Sequence, residues 1–150
     1  LILLDFSLSD AISEAAQPFE AVAAASGRTF VCEIEPNVSY TGDESTIRQL
    51  VSLLLDNAMK YASENGSIRL SFVSSGKNKI LTVWNMVDSI EPGRHDELFE
   101  RFYRPDASRS SATGGHGIGL SVVKAIVLAH KGRITAKSED GHSILFTVTL

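Results

Sequence analysis

The stretch Arg48-Gln49-Leu50-Val51-Ser52-Leu53-Leu54-Leu55-Asp56-Asn57-Ala58-Met59-Lys60-Tyr61 reads as the body of one amphipathic helix. Ile47, Leu50, Val51, Leu54 and Ala58 recur at the three- and four-residue intervals that gather apolar groups on one face. Asp43 stands where an N-cap belongs and Ser63-Glu64-Asn65-Gly66 closes the pattern, so the helix is predicted from 44 to about 62. Lys60 and Tyr61 follow Asn57 at i+3 and i+4, which lines an amide, an ammonium and a phenol along one stripe beside the apolar face. An ordinary surface helix also has polar edges, so no single residue of the stripe decides a function.

Upstream, residues 1–6 read as a short strand. Ser9 with Asp10 is the expected cap of an alanine-rich helix that runs to Ser26-Gly27 and is bent or divided at Pro18. A strand is expected at 29–34 and a polar connection at 35–42. Downstream, strands at 67–74 and 79–84 flank Ser75-Gly76-Lys77-Asn78, a hairpin signal. From 85 to 117 regular periodicity fails apart from a short helix around 96–102, and an irregular stretch of that length inside a compact unit is usually functional or disordered. A helix at 119–130 stops at Lys131-Gly132, and strands near 133–137 and 143–150 surround Asp140-Gly141. Hairpins mixed with helices predict an α+β fold: a two-layer α/β sandwich with a mixed, mostly antiparallel sheet and three main helices on one face.

With 150 residues, 43% hydrophobic and 21% charged, the chain is long and apolar enough to bury a core, and one domain spanning 1–150 is expected. A net charge of −4 offers no basic footprint for a polyphosphate backbone, so nucleic acid is not an expected partner. Cys32, the one cysteine, lies in an alternating run and is expected to be a core residue without redox work. No run approaches the ~20 apolar residues of a membrane span. The chain opens without methionine in the apolar run 1–4, which suggests a piece of a longer protein.

Three segments together resemble the ATP-binding catalytic domain of bacterial sensor histidine kinases, in the GHKL superfamily with DNA gyrase B, heat-shock chaperones and mismatch-repair ATPases. The resemblance covers nearly the whole chain and implies the Bergerat ATP-binding fold. The stretch 48–61 is similar to the N box, which implies that Asn57 gives its side-chain oxygen to Mg²⁺ and that Lys60 and Tyr61 lie beside the triphosphate, with Asn57 and Lys60 in the catalytic role. Hard Mg²⁺ takes oxygen ligands and keeps most of its waters, while a lysine offsets phosphate charge as a point cation. Many members have a second asparagine four residues earlier, where this chain has Leu53. Gly114-Gly115-His116-Gly117-Ile118-Gly119-Leu120 resembles the G2 box, whose glycines let backbone approach phosphates at a helix N-terminus. Gly115, His116, Gly117, Ile118, Gly119 and Leu120 are the implied nucleotide contacts. No Walker A loop is present. Leu98-Phe99-Glu100-Arg101-Phe102-Tyr103-Arg104-Pro105 is similar to the F box that opens the ATP lid, here about 103–116. Phe99, Phe102 and Arg104 are its implied site residues, the two phenylalanines also being expected to pack on the core. Arg101 and Arg109 are further candidates for phosphate or partner contacts.

The family's G1 box, D-x-G-x-G, is missing. Spacing places Asn85 at the aspartate that accepts from the adenine amino group and Ile90 at the motif's isoleucine, with Val87 and Ser89 where the glycines belong. Asp88 is the competing acceptor. Asparagine is neutral and its amide can flip, so weaker discrimination between ATP and GTP is expected, with Asn85→Asp restoring adenine preference. His95, His116, His130 and His142 are scattered, and none lies in the H-E-x-x-[TS]-P setting of a phosphoacceptor helix. The resemblance therefore implies a protein-histidine kinase that binds ATP and Mg²⁺, cannot phosphorylate itself as this fragment, and serves a histidine on the dimerisation domain of the same kinase. It further implies a response regulator receiver domain as partner, and a cytoplasmic location within a homodimeric kinase of the inner membrane. The alternatives are a degenerate nucleotide-binding pseudokinase module and an anti-sigma-factor-type serine kinase.

Overall fold

The computed structural model describes residues 1–100 and 118–150. β1 (Leu4–Ser7) leads directly into α1 (Leu8–Ala16), which is capped two positions before the expected serine: Ser7 Oγ accepts from Asp10 N–H at 3.2 Å. Ser9 is instead buried, donating to the Glu35 carbonyl at 2.6 Å and accepting from Val38 N–H at 2.9 Å. Pro18 does divide the segment, standing at the first position of α2 (Pro18–Ala25), where a missing N–H is tolerated.

β2 (Thr29–Ile34) is followed by an element the sequence concealed, β3 (Ser39–Gly42), which pairs antiparallel with β1 as a separate two-stranded ribbon. α3 (Glu44–Tyr61) follows, capped by Asp43, whose side chain accepts from Thr46 N–H at 3.0 Å. β4 (Ser67–Ser75) and β5 (Asn78–Met86) form the hairpin. β6 (Gly93–Arg94) is too short to have been read, and the predicted helix near 96 is one 3-10 turn, Asp96–Phe99. α4 (Gly119–Ala129), β7 (Arg133–Ser138) and β8 (Ser143–Thr149) complete the described chain.

The main sheet has the order β2-β4-β5-β8-β7-β6, with β2 parallel to β4 and every other neighbour antiparallel. Period-two alternation turns Ile68, Leu70, Phe72, Leu81, Val83, Ile144, Phe146 and Val148 to the helix layer, all buried. Leu50, Val51, Leu54, Leu55 and Ala58 of α3 meet them from above. On the open face Arg69 lies 5.2 Å over the Trp84 ring, a cation–π contact that suits a solvated surface.

Cys32 is not a core residue. β2 is a terminal strand, so although the run alternates, Cys32 is exposed, in a shallow depression shared with Ala16, Glu20 and Ile34. Partial burial of its thiol and, next, the Glu20 carboxylate push the thiol pKa up to about 11. No described helix is long and apolar enough to cross a membrane.

Candidate nucleotide site

α3 delivers its polar stripe to the end of β5. Beyond the helix, Ser63 N–H donates to the Met86 carbonyl at 2.9 Å, and the Arg28 guanidinium reaches the Ala62 carbonyl at 2.6 Å and that of Ser63 at 3.4 Å. A cation on the terminal carbonyls of a helix is well placed against its dipole. These contacts fix the C-terminal turn of α3, with Lys60 and Tyr61, beside Asn85 and Met86.

Asn57 is half-buried on that turn, while Lys60 and Tyr61 are exposed. Lys60 pairs with Asp56 at 3.2 Å. An exposed i,i+4 pair of this kind contributes about 0.3–0.5 kcal/mol, so Lys60 is readily released to a stronger anion. One turn before Asn57, Leu53 lies under the start of α4: a Cβ built on Gly119 would meet its Cδ2 at 3.8 Å. Leu53, at the family's second asparagine position, thus packs the two helices together. α4 begins with no side-chain cap and no acidic residue in its first turn, so among the described residues no side chain takes its first N–H groups, a start that suits an anion. The Ile118 carbonyl is taken by Val122 N–H at 3.0 Å and Ser121 Oγ at 2.7 Å, and Leu120 is half-buried against the core.

Asn85 is 1% exposed, on the same face of β5 as Leu81 and Val83. Its Nδ2 donates to the Met86 carbonyl at 3.1 Å, and its Oδ1 is buried with no hydrogen-bond partner among the described residues. An unmet buried acceptor costs about 1–3 kcal/mol, so such a group calls for an explanation. Asp88, the competing acceptor, is exposed. The segment between them and Ile90 is pinned to the β7–β8 turn: Val87 N–H donates to the His142 carbonyl at 2.9 Å, and Ile90 N–H to that of Gly141 at 3.0 Å. Ile90 is half-buried against the core.

Phe99 belongs to the core more than to a ligand. It is 4% exposed and meets Phe146 edge-on with centroids 6.0 Å apart, which anchors the chain just before residue 101. His95 steadies the approach, with Nδ1 2.9 Å from Glu97 Oε1 and Nε2 2.5 Å from the Glu91 carbonyl, and these acceptors, Glu91 first, raise its pKa. Arg101, Phe102, Arg104, Arg109, Gly115, His116, Gly117 and the lid at about 103–116 lie outside the described residues. Arg28, Ser63 and the Met86 carbonyl were missed by sequence reasoning. Backbone carbonyls carry no residue-type signal, and Arg28 is far from every motif.

The described residues fit a nucleotide. A buried acceptor suits an exocyclic amino group, an uncapped helix start suits phosphate, and a half-buried amide with a neighbouring lysine suits a metal–phosphate pair. Residues 42–150 match the model of the histidine kinase-, DNA gyrase B-, and HSP90-like ATPases. The sensor histidine kinase RppB of Synechocystis sp. is 33% identical over 144 residues, covering 95% of this chain and 32% of RppB. The chain spans about a third of the length of the curated relatives it matches, between 29% and 32% for three of them. In fold it resembles the nucleotide-free catalytic domain of histidine kinase ThkA, with a TM-score of 0.83 at 21% identity over 100% of this chain and 95% of that one. It also resembles ThkA in complex with the response regulator protein TrrA, with a TM-score of 0.76 at 23% identity over 99% of this chain and 41% of that one. The chain therefore belongs to the histidine kinase-, DNA gyrase B- and HSP90-like ATPase family, and it corresponds to the ATP-binding catalytic portion of the sensor histidine kinases.

Proposed function

We propose that this chain, folded as one domain over 1–150, holds ATP with Mg²⁺ and presents the γ-phosphate to a histidine on the dimerisation domain of the same kinase. The observation that carries the reading is the buried Oδ1 of Asn85, without a hydrogen-bond partner among the described residues, at the end of β5 beside the stripe of α3. In this arrangement Asn85 accepts from the base, the Asn57 amide oxygen orients the metal, Lys60 leaves Asp56 for phosphate, and the N–H groups of 119–120 face phosphate oxygens. Mg²⁺, when bound, would neutralise phosphate charge. In phosphoryl transfer the protein's part is largely positioning and charge compensation, so the acceptor histidine can come from another domain. A response regulator is the downstream partner, by analogy with the ThkA–TrrA complex. The parent is a homodimeric, membrane-bound sensor kinase with this portion in the cytoplasm.

Titration with a fluorescent ATP analogue, with and without Mg²⁺, tests the site. Asn57→Ala should lower the Mg²⁺-dependent affinity by about ten- to a hundredfold, the usual loss on weakening a metal site. Unchanged binding would remove Asn57 from the metal. Labelled ATP should leave this chain unlabelled and should label the parent's dimerisation domain supplied in trans. The replacements at Asn85, Val87, Ser89 and Leu53 favour one second reading, a nucleotide-binding pseudokinase, which a silent mixture that still binds ATP would support.

A further inference from the structure

Position 85 is asked for two opposite things. Its cross-strand neighbours are Ile68 on β4 and Ile144 on β8, both buried, so no charged group faces it from the adjacent strands. Its amide nitrogen donates to the Met86 carbonyl, which also accepts from Ser63 N–H. The same peptide unit is held from its other side, because Val87 N–H donates to the His142 carbonyl. The Met86 carbonyl therefore cannot turn away, and residue 85 must offer it a donor while presenting an acceptor at its other end. A flipped amide, or a carboxylate, would aim an oxygen at that carbonyl in apolar surroundings, where an unpaired polar contact is most costly.

We propose that the held Met86 peptide fixes the Asn85 amide in one orientation, so that position 85 offers a single neutral acceptor that selects a 6-aminopurine over a 6-oxopurine. Asparagine, not the aspartate of the family motif, is then the residue this backbone requires. The base-selecting half rests on the nucleotide reading above. The held amide does not, and the two are separable by experiment.

Asn85→Asp is the informative variant. Its uncharged carboxyl has a hydroxyl to donate to Met86 and a carbonyl to accept, so it imitates the amide, whereas its carboxylate does not. The introduced group has its folded-state pKa raised above the unfolded value. Its native fit is thus fully present below the unfolded value of about 3.9 and is lost between that value and the raised folded pKa, each unit of pH in that interval lowering the folding constant about tenfold. Melted without nucleotide, the variant should approach wild type near pH 4 and fall progressively below it towards pH 8, while Asn85→Ala should show a deficit that does not vary with pH. A variant that folds at pH 4 and not at pH 8 is the same result at its limit. With a labelled adenine nucleotide as probe, ATP should outcompete GTP at least about tenfold in wild type, and the variant's ATP affinity should drop as pH rises.

A variant that melts with wild type at every pH and binds ATP equally well at pH 8 would overturn the proposal, as would wild type binding GTP as well as ATP. The pH-dependent melting gap without any nucleotide binding by wild type would overturn the base-selecting role together with the proposed function, and would leave the held amide standing.

Discussion

Replacing Gly119 with alanine separates what the fold needs from what a ligand needs. A Cβ there would meet Leu53 Cδ2 at 3.8 Å and nothing nearer among the described residues, which is ordinary contact, and the backbone is outside the left-handed region. Since glycine in a helix costs roughly 0.5–1 kcal/mol relative to alanine, Gly119→Ala should stabilise the free protein by up to that amount. For a chain of this size that is a rise in melting temperature of about 1–4 °C. The methyl would nevertheless stand among the first N–H groups of α4, where phosphate oxygens must approach, so nucleotide affinity should fall at least about tenfold, or 1.4 kcal/mol. Gly132 is the control with the opposite sign. Its Cβ would fall 2.4 Å from the Thr149 carbonyl oxygen, and 3.3 Å from both Val127 and Leu150 side chains. Gly132→Ala should therefore destabilise by about 1–3 kcal/mol, the usual range for overpacking. Thermal melting without nucleotide and displacement of a fluorescent ATP analogue measure the two quantities independently. If Gly119→Ala lowers the melting temperature as Gly132→Ala does, the glycine serves the fold; if it melts higher and binds unchanged, backbone at 119 does not approach a ligand.

Two further expectations follow from titrating groups. With its thiol at about 11, Cys32 is roughly a thousandth thiolate at pH 8, so iodoacetamide should modify it on the order of a hundredfold more slowly than a free thiol of ordinary pKa despite its exposure; a rate matching that of a free thiol would contradict the described surroundings. The Asp43 carboxyl is held below its usual range, first by Ile2 N–H and then by Thr46 N–H, so its contribution is present above the unfolded value of about 3.9 and disappears as pH falls through the lower folded value. Asp43→Asn should therefore melt below wild type at pH 5–7 and converge with it in acid, and parallel melting curves across that range would remove the charge from the account.

What could be read in advance was whatever periodicity and caps encode. α3 came out within a residue of its limits because its apolar face and the Asp43 cap agree, and the β4–β5 hairpin because both strands alternate. β3 stayed hidden for a physical reason: Ser39-Tyr40-Thr41-Gly42 is only four residues long and turns a single large apolar side chain, Tyr40, toward the core, which is too little alternation to mark a strand. Cys32 misled because alternation marks a strand and not its place in the sheet. At the site, spacing favoured Asn85 over Asp88; Asn85 is buried and Asp88 exposed. The freely flipping amide expected from asparagine chemistry did not anticipate the Met86 carbonyl, a group identical in every residue and visible only once β5 and the end of α3 are placed together.

His130 gives the fold an order in time. Its Nε2 accepts the N–H of Asp43 at 3.0 Å while Nδ1 faces the Ile126 carbonyl at 2.8 Å, so the root of α3 is tied to the tail of α4 across 87 positions of chain. A loop that long closes late and slowly compared with a turn of helix. The segment bearing Asn57 is therefore not a self-sufficient module: as the chain emerges from synthesis, its first turn lacks one of its anchors until nearly everything that will surround the nucleotide has already been made.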